Sequence, residues 1–141
     1  MLVKNVMNKK VVIAKPEATL REASKVMSDL NIGCLVVVEK EKIVGIITSS
    51  DILKSIASGK DPDETLVQEM MSKPVKTIDS DKTIEDAANL MVQNKIKKLP
   101  VVDEGKLIGM VTTTDIMAIE PKLIASIADL MSLRLPGYSG G

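Results

Sequence analysis

Gly45-Ile46-Ile47-Thr48-Ser49-Ser50-Asp51-Ile52 returns 64 residues later as Gly109-Met110-Val111-Thr112-Thr113-Thr114-Asp115-Ile116. Upstream the match continues without a gap. Val3, Met7, Lys9, Val11, Thr19, Ala23, Met27, Ile32, Leu35, Val37, Val38 and Lys42 recur as Val67, Met71, Lys73, Val75, Thr83, Ala87, Met91, Ile96, Leu99, Val101, Val102 and Lys106. Other pairs are conservative, such as Ile43/Leu107. One long period repeated twice implies a duplicated module paired about a pseudo-twofold axis, since solenoids need three or more shorter units.

Each copy reads in the same order. A short apolar segment (residues 11–13, 75–78) comes first. A helix follows, with Thr19 and Glu22 at capping-box spacing and Thr83 and Asp86 as a weaker counterpart. Leu20, Ala23, Met27 and Leu30 form one helical stripe, and Ile84, Ala87, Leu90 and Met91 repeat it. Two apolar β-branched runs follow, 34–38 then 43–48 in the first copy, 99–102 then 107–112 in the second. Their continuous apolar character predicts strands covered on both faces. Short polar turns join them, the second containing Glu104-Gly105. A last helix starts near Asp51 or Asp115, an acidic residue suited to a helix start. The order is β-α-β-β-α per copy, an α/β (α+β) architecture. The boundaries are 1–58 for the first motif, 59–66 for a linker, 67–120 for the second motif, and 121–141 for a C-terminal helix and flexible tail. That helix is expected from the apolar spacing of residues 123–131.

Composition narrows the chemistry. Of 141 residues, 45% are hydrophobic but Tyr138 is the sole aromatic, so the core must be aliphatic. The 19 basic and 19 acidic residues cancel, leaving no global field to steer nucleic acid or an anionic membrane. There is no His, which removes the usual base near neutral pH. The single Cys34 excludes an intrachain disulfide and a cysteine-cluster zinc site, and it reads as a small core residue. The first ten residues lack a signal-peptide core, and no apolar run approaches a membrane span; a soluble, cytoplasmic protein is expected. No catalytic constellation is visible, so an enzyme is not expected.

The repeated Gly-x-x-Thr-x-x-Asp string is where function is sought. It joins a strand end to a helix start, where exposed N–H groups favour anions. Its hydroxyls add donors, and its carboxylate can accept from a vicinal diol. The same Thr and Asp also suit a plain helix cap. A second candidate is Lys97-Lys98, directly ahead of a strand, which also reads as a solvated charge pair.

These strings, with Lys95-Ile-Lys97-Lys98-Leu-Pro-Val-Val-Asp103 and Thr83-Ile-Glu-Asp-Ala-Ala88, resemble a tandem cystathionine-β-synthase-type (CBS) domain pair, also called a Bateman module. The resemblance implies two units with sheets packed together and two clefts for adenosine-containing ligands such as AMP, ADP or ATP. It implies Asp on the ribose hydroxyls and Thr or Ser near phosphate. One expected site combines Thr48, Ser50 and Asp51 with Lys76, Lys97 and Lys98. The other combines Thr112, Thr114 and Asp115 with Val12, Gly33 and Cys34. The first is expected to prefer ligands with more phosphates. The chain is thus expected to be a stand-alone regulatory module and homodimer, needing no cofactor or metal, that signals to an unidentified protein in trans. The alternatives are a structural or protein-interaction dimer without a nucleotide, an S-adenosylmethionine binder, or a nucleic-acid binder. The missing aromatic stacking platform weighs against the last.

Overall fold

The computed structural model describes residues 1–120 together with Ile127 and Ala128. The first repeat folds as β1 (Ile13–Ala14), α1 (Leu20–Leu30), β2 (Cys34–Glu39), β3 (Lys42–Thr48) and α2 (Ser49–Ala57). A short α3 (Val67–Met70) leads into β4 (Ile78–Asp79), α4 (Ile84–Asn94), β5 (Lys98–Asp103), β6 (Lys106–Thr112) and α5 (Thr113–Ile119). A 3-10 turn, Val3–Asn5, stands before β1 as α3 stands before β4. The β-α-β-β-α order is the one read from the repeat.

The helix starts follow from their side chains. The Thr19 hydroxyl accepts from the Glu22 N–H at 3.1 Å, while the Glu22 carboxylate accepts from the Thr19 N–H at 2.9 Å. Thr83 and Asp86 repeat this at 3.1 and 3.2 Å. Each box satisfies two otherwise orphaned groups. Asn31 and Lys95 end α1 and α4 in the left-handed region, at φ 53° and 55°. Leu20, Ala23 and Met27 are buried as their spacing predicts. Leu30 is not: it is the last residue of α1 and is 53% exposed.

The strands form two three-stranded sheets, β1-β2-β3 and β4-β5-β6. β1 runs parallel to β2, and β3 antiparallel to it with Cys34 opposite Thr48. β1 begins later than residues 11–13 suggest. Val12 contributes only a carbonyl, accepting from the Val36 N–H at 3.3 Å, so the ladder proper starts at Ile13. β4 likewise starts late: of the expected 75–78 only Ile78 is in it, and it continues to Asp79. The central strands are covered on both faces, with Leu35-Val36-Val37 and Leu99-Pro100-Val101 buried. β3 and β6 depart from the expectation: they bury alternate residues, Gly45 and Ile47 or Gly109 and Val111. They flank the central strand, so one face of each is left partly open. Both hairpins turn on two left-handed residues, Lys40-Glu41 (φ 51° and 66°) and Glu104-Gly105 (φ 50° and 79°). That is the pattern a two-residue hairpin loop needs.

The compact units do not coincide with the repeats. One unit holds Val11–Val75 with Gly105–Leu107; the other holds Met1–Lys10, Lys76–Glu104 and the described residues from Ile108 onward. Each unit therefore includes a segment lying ahead of the other repeat. In the first, Val67 is buried with Leu20, Leu35 and Ile47, and Ser72 exchanges two backbone bonds with Ile46 at 2.9 and 3.1 Å. In the second, Val3 is buried with Met91, Leu99 and Ile116, and Asn8 exchanges bonds of 2.8 and 2.9 Å with Met110. These segments extend the β3 and β6 edges. They also explain two repeated glycines. A Cβ at Gly45 would overlap the Met71 sulfur and lie 2.7 Å from its Cγ; at Gly109 it would lie 2.5 Å from the Met7 sulfur. Both cores are aliphatic. The expected C-terminal helix over 123–131 falls outside the described residues except for Ile127 and Ala128, which are helical, with Ile127 buried in the second core.

Candidate functional site

The Thr–Asp strings sit where β3 meets α2 and where β6 meets α5. The Thr48 hydroxyl accepts from the Asp51 N–H at 3.1 Å, and the Thr48 N–H donates to Asp51 Oδ2 at 2.9 Å. Thr112 and Asp115 repeat both bonds at 3.2 and 2.9 Å. The capping role is real in both copies. It does not exhaust the groups. A hydroxyl that accepts one bond still has its proton to donate. Both carboxylate bonds use Oδ2; among the described residues none reaches Oδ1 of Asp51 or Asp115, which leaves that oxygen to a diol. Thr48, Asp51, Thr112 and Asp115 are half-buried, while Ser50 and Thr114 are exposed at the rim. The cap fixes the carboxylate's orientation before any ligand arrives.

Two further bonds decide what stands beside each turn. The Ser49 N–H donates to the Gly33 carbonyl at 2.9 Å, and the Thr113 N–H donates to the Lys97 carbonyl at 2.9 Å. Cys34 pairs with Thr48 at the open end of the β2–β3 hairpin. Val12 lies at the same end, because β1 runs parallel to β2. In the second repeat Lys98 opens β5. Lys76 lies two residues ahead of β4. Within the first-repeat unit Gly33 and Cys34 are thus tied to the turn that carries Thr48, Ser50 and Asp51, with Val12 at the same end. In the other unit Lys97 is tied to the turn that carries Thr112, Thr114 and Asp115, and Lys98 follows it.

Hairpin topology sets these neighbours within each unit: an antiparallel pair joined by a two-residue turn brings the start of its first strand to the end of its second. Sequence reasoning missed Met7 and Met71 as the neighbours of the site strands, although both recur in the repeat beside Gly109 and Gly45.

The repeats differ in charge at these positions. Lys97 is half-buried, and Lys76 and Lys98 are exposed. The counterpart positions in the first repeat are Val12, Gly33 and Cys34. Displaced titrations occur at surface contacts away from both turns. The hydrogen bond to Asp81 at 2.9 Å raises Lys4. Hydrogen bonding raises Arg21 and lowers its partner Asp63. The Thr19 backbone N–H lowers Glu22. Among the described residues no group of three or more His, Cys, Asp or Glu could hold a metal ion, and no helix is long and apolar enough to cross a membrane.

The CBS-domain profile matches residues 3–58 and 67–122. The chain belongs to the CBS-domain family. An uncharacterized protein of Methanopyrus kandleri is 42% identical over 124 residues, which cover 86% of this chain and 63% of that relative. The chain thus spans under two-thirds of that relative's length. The CBS-domain protein TA0289 of Thermoplasma acidophilum, described as of unknown function, aligns with TM-score 0.84 at 31% identity, covering 98% of this chain and 79% of that one. The CBS domain pair of protein MJ0100, solved with 5′-methylthioadenosine and S-adenosyl-L-methionine, aligns with TM-score 0.77 at 33% identity, covering 86% of this chain and 97% of that one.

Proposed function

We propose that this CBS pair is a regulatory module without catalytic activity, that it binds an adenosine-containing ligand at its two Thr–Asp turns, and that it reports occupancy to a partner protein. AMP, ADP and ATP are the nucleotides proposed. The observation that carries the reading is the repeated cap, which holds a carboxylate in place with Oδ1 uncommitted beside a hydroxyl that still has a proton to donate. Such a pair suits a ribose diol and its attached phosphate. The likeness to a CBS pair solved with two adenosine compounds supports it.

Calorimetry on the full chain tests it, with AMP, ADP, ATP and S-adenosylmethionine each titrated in turn. A ligand at 100 times its dissociation constant stabilises the fold by about 2.7 kcal/mol, so a thermal scan reads the same event. Asp51→Asn and Asp115→Asn keep an acceptor for the cap and remove the charge offered to the diol. Charge-assisted bonds contribute about 1.5–3 kcal/mol each, so a tenfold or greater loss of affinity is expected at the altered site with little change in stability. Absence of binding to all four ligands, or unchanged affinity in both variants, refutes the reading.

A homodimer is part of the proposal. Leu53 and Ile56 lie three residues apart on α2, on one face, and are 67% and 53% exposed. Light scattering that finds a monomer at micromolar concentration removes this part.

A further inference from the structure

We propose that one face of α4 carries a second, separate site: a shallow groove that takes a free α-amino acid with an aliphatic side chain. The groove has a volume of about 370 Å³ and is lined by Ile78, Lys82, Asp86, Asn89, Leu90 and Gln93. None of these residues belongs to the turns at Asp51 and Asp115, so the proposal is independent of the adenosine reading.

Helical spacing makes one wall of the groove. Asp86, Asn89, Leu90 and Gln93 stand at i, i+3, i+4 and i+7 of α4, which is one helix face. Ile78 of β4 and Lys82, between β4 and α4, supply the rest. The backbone there is fixed: the Lys82 N–H donates to the Asp79 carbonyl at 3.1 Å, and the Lys82 carbonyl accepts from the Val3 N–H at 2.8 Å. Asp86 is held by its helix cap, where Oδ2 accepts from the Thr83 N–H at 3.2 Å; among the described residues no donor reaches its Oδ1. Ile78 is buried and Leu90 half-buried, both in the same aliphatic core, so they give the groove an apolar floor.

The charges decide the ligand. Lys82 and Asp86 line one groove, yet among the described residues no ion pair joins them or engages either one elsewhere. The side-chain bonds along α4 are the Thr83–Asp86 cap and Asn94 to the Leu90 carbonyl, so among the described residues the Asn89 and Gln93 amides are uncommitted. One cation, one carboxylate oxygen and two amides around an apolar floor are complementary to a zwitterion with a short apolar chain. Lys82 meets its carboxylate and Asp86 Oδ1 its ammonium; the amides, which donate and accept, serve either group, and the side chain lies on Ile78 and Leu90. A ligand carrying only one of the two charges leaves Lys82 or Asp86 unanswered. The volume is at the low end for ligand pockets, about 300–1,000 Å³, which suits a single amino acid. The first repeat lacks these groups. Where the second has Lys82, Asn89 and Gln93 it has Ala18, Lys25 and Asp29, and Lys25 and Asp29 answer each other in an ion pair of 3.3 Å. Helix α1 thus pairs its own charges where α4 leaves them to a ligand.

The test is an NMR titration of the isotope-labelled full chain with leucine, with a thermal scan of each variant to show that it is folded. Saturable shifts are expected over residues 78–93, at millimolar affinity because exposed charges bind weakly. Leucinamide, which lacks the carboxylate, and N-acetylleucine, which lacks the ammonium, are each expected to bind about threefold more weakly or worse. Lys82→Met is expected to weaken leucine by a similar factor and to leave leucinamide unchanged, while Lys82→Arg keeps leucine binding. Asp86→Asn retains an acceptor for the cap; it is expected to weaken leucine and to leave N-acetylleucine unchanged. No saturable shift with leucine, saturation with residues 78–93 unmoved, either one-charge analogue binding as tightly as leucine, or leucine affinity unchanged in both Lys82→Met and Asp86→Asn overturns the proposal. The adenosine reading, which uses other residues, survives each of these outcomes.

Discussion

Alanine at Gly45 is expected to destabilise the protein only while Met71 is present. The new Cβ would overlap the Met71 sulfur and lie 2.7 Å from its Cγ and 3.2 Å from its Cβ, so the thioether must leave its place. Overpacking of this kind costs about 1–3 kcal/mol. Against it stands the stiffer unfolded chain of alanine, about 0.5–1 kcal/mol in favour, since Gly45 has no left-handed backbone that only glycine could adopt. The net loss expected is therefore about 1–2 kcal/mol. In a Met71→Ala background the sulfur and Cγ are gone and only the 3.2 Å contact remains. There Gly45→Ala is expected to be neutral or to stabilise by about 0.5 kcal/mol. The coupling energy of the four-protein cycle is then about 1–2.5 kcal/mol, within the usual range for residues in contact. Urea unfolding reads it as a shift in midpoint at constant slope. The second repeat supplies a control. At Gly109 a Cβ would also lie 3.1 Å from the Asn8 carbonyl, which removing the Met7 side chain does not relieve, so rescue there is expected to be incomplete. Equal losses from Gly45→Ala in both backgrounds, or no loss in the wild type, refute the packing argument.

Glu41 holds φ 66° in its hairpin where the second repeat has Gly105 at φ 79°. A left-handed non-glycine residue costs about 1–2 kcal/mol, partly offset by the looser unfolded chain of glycine, so Glu41→Gly is expected to stabilise by roughly 0.5–1 kcal/mol in urea unfolding; a loss would refute it. Glu22 and Asp63 have lowered folded-state values, from the Thr19 N–H and the Arg21 guanidinium respectively. Their contribution is complete above the ordinary carboxylate range and disappears as pH falls through the lowered values, because the unfolded chain then binds more protons. The Glu22→Gln, Asp63→Asn double variant is therefore expected to lose less stability than wild type on acidification below pH 4.5, measured by thermal midpoint against pH. An identical acid limb would show that these contacts do not govern it.

Element order was legible because a duplicated pattern states every strand and helix twice. Thr19 with Glu22 marked the first helix correctly, since a capping box is local chemistry. Leu30 failed because helical spacing shows which face a residue takes, not where the partner surface ends. β1 was placed early because Val11 and Val12 have strand character, while only the partner strand decides which residues find a ladder. The segments before each repeat were opaque for a related reason. Val3 and Val67 looked like ordinary repeat members, and nothing local says that each enters a core formed mainly by the other repeat. The neighbours of each Thr–Asp turn within its own unit are opaque for the same reason, because they depend on which ends a hairpin brings together.

That distinction bears on how a duplicated module can diverge. Thr48 and Asp51 each satisfy a backbone group that would otherwise be orphaned at the start of α2, and Thr112 and Asp115 do the same for α5. Losing such a cap costs about 1 kcal/mol, so stability alone resists change at these four positions in either copy. Residues 12, 33 and 97 contribute backbone bonds, which any side chain permits: the Val12 and Gly33 carbonyls accept whatever their side chains are, and Lys97 accepts from Thr113 as Gly33 does from Ser49. The fold therefore separates two requirements. The cap keeps a carboxylate and a hydroxyl in fixed positions, and the residue whose carbonyl ties down the turn is left to vary. In this chain that residue is Gly33 in one repeat and Lys97 in the other, on a scaffold otherwise stated twice.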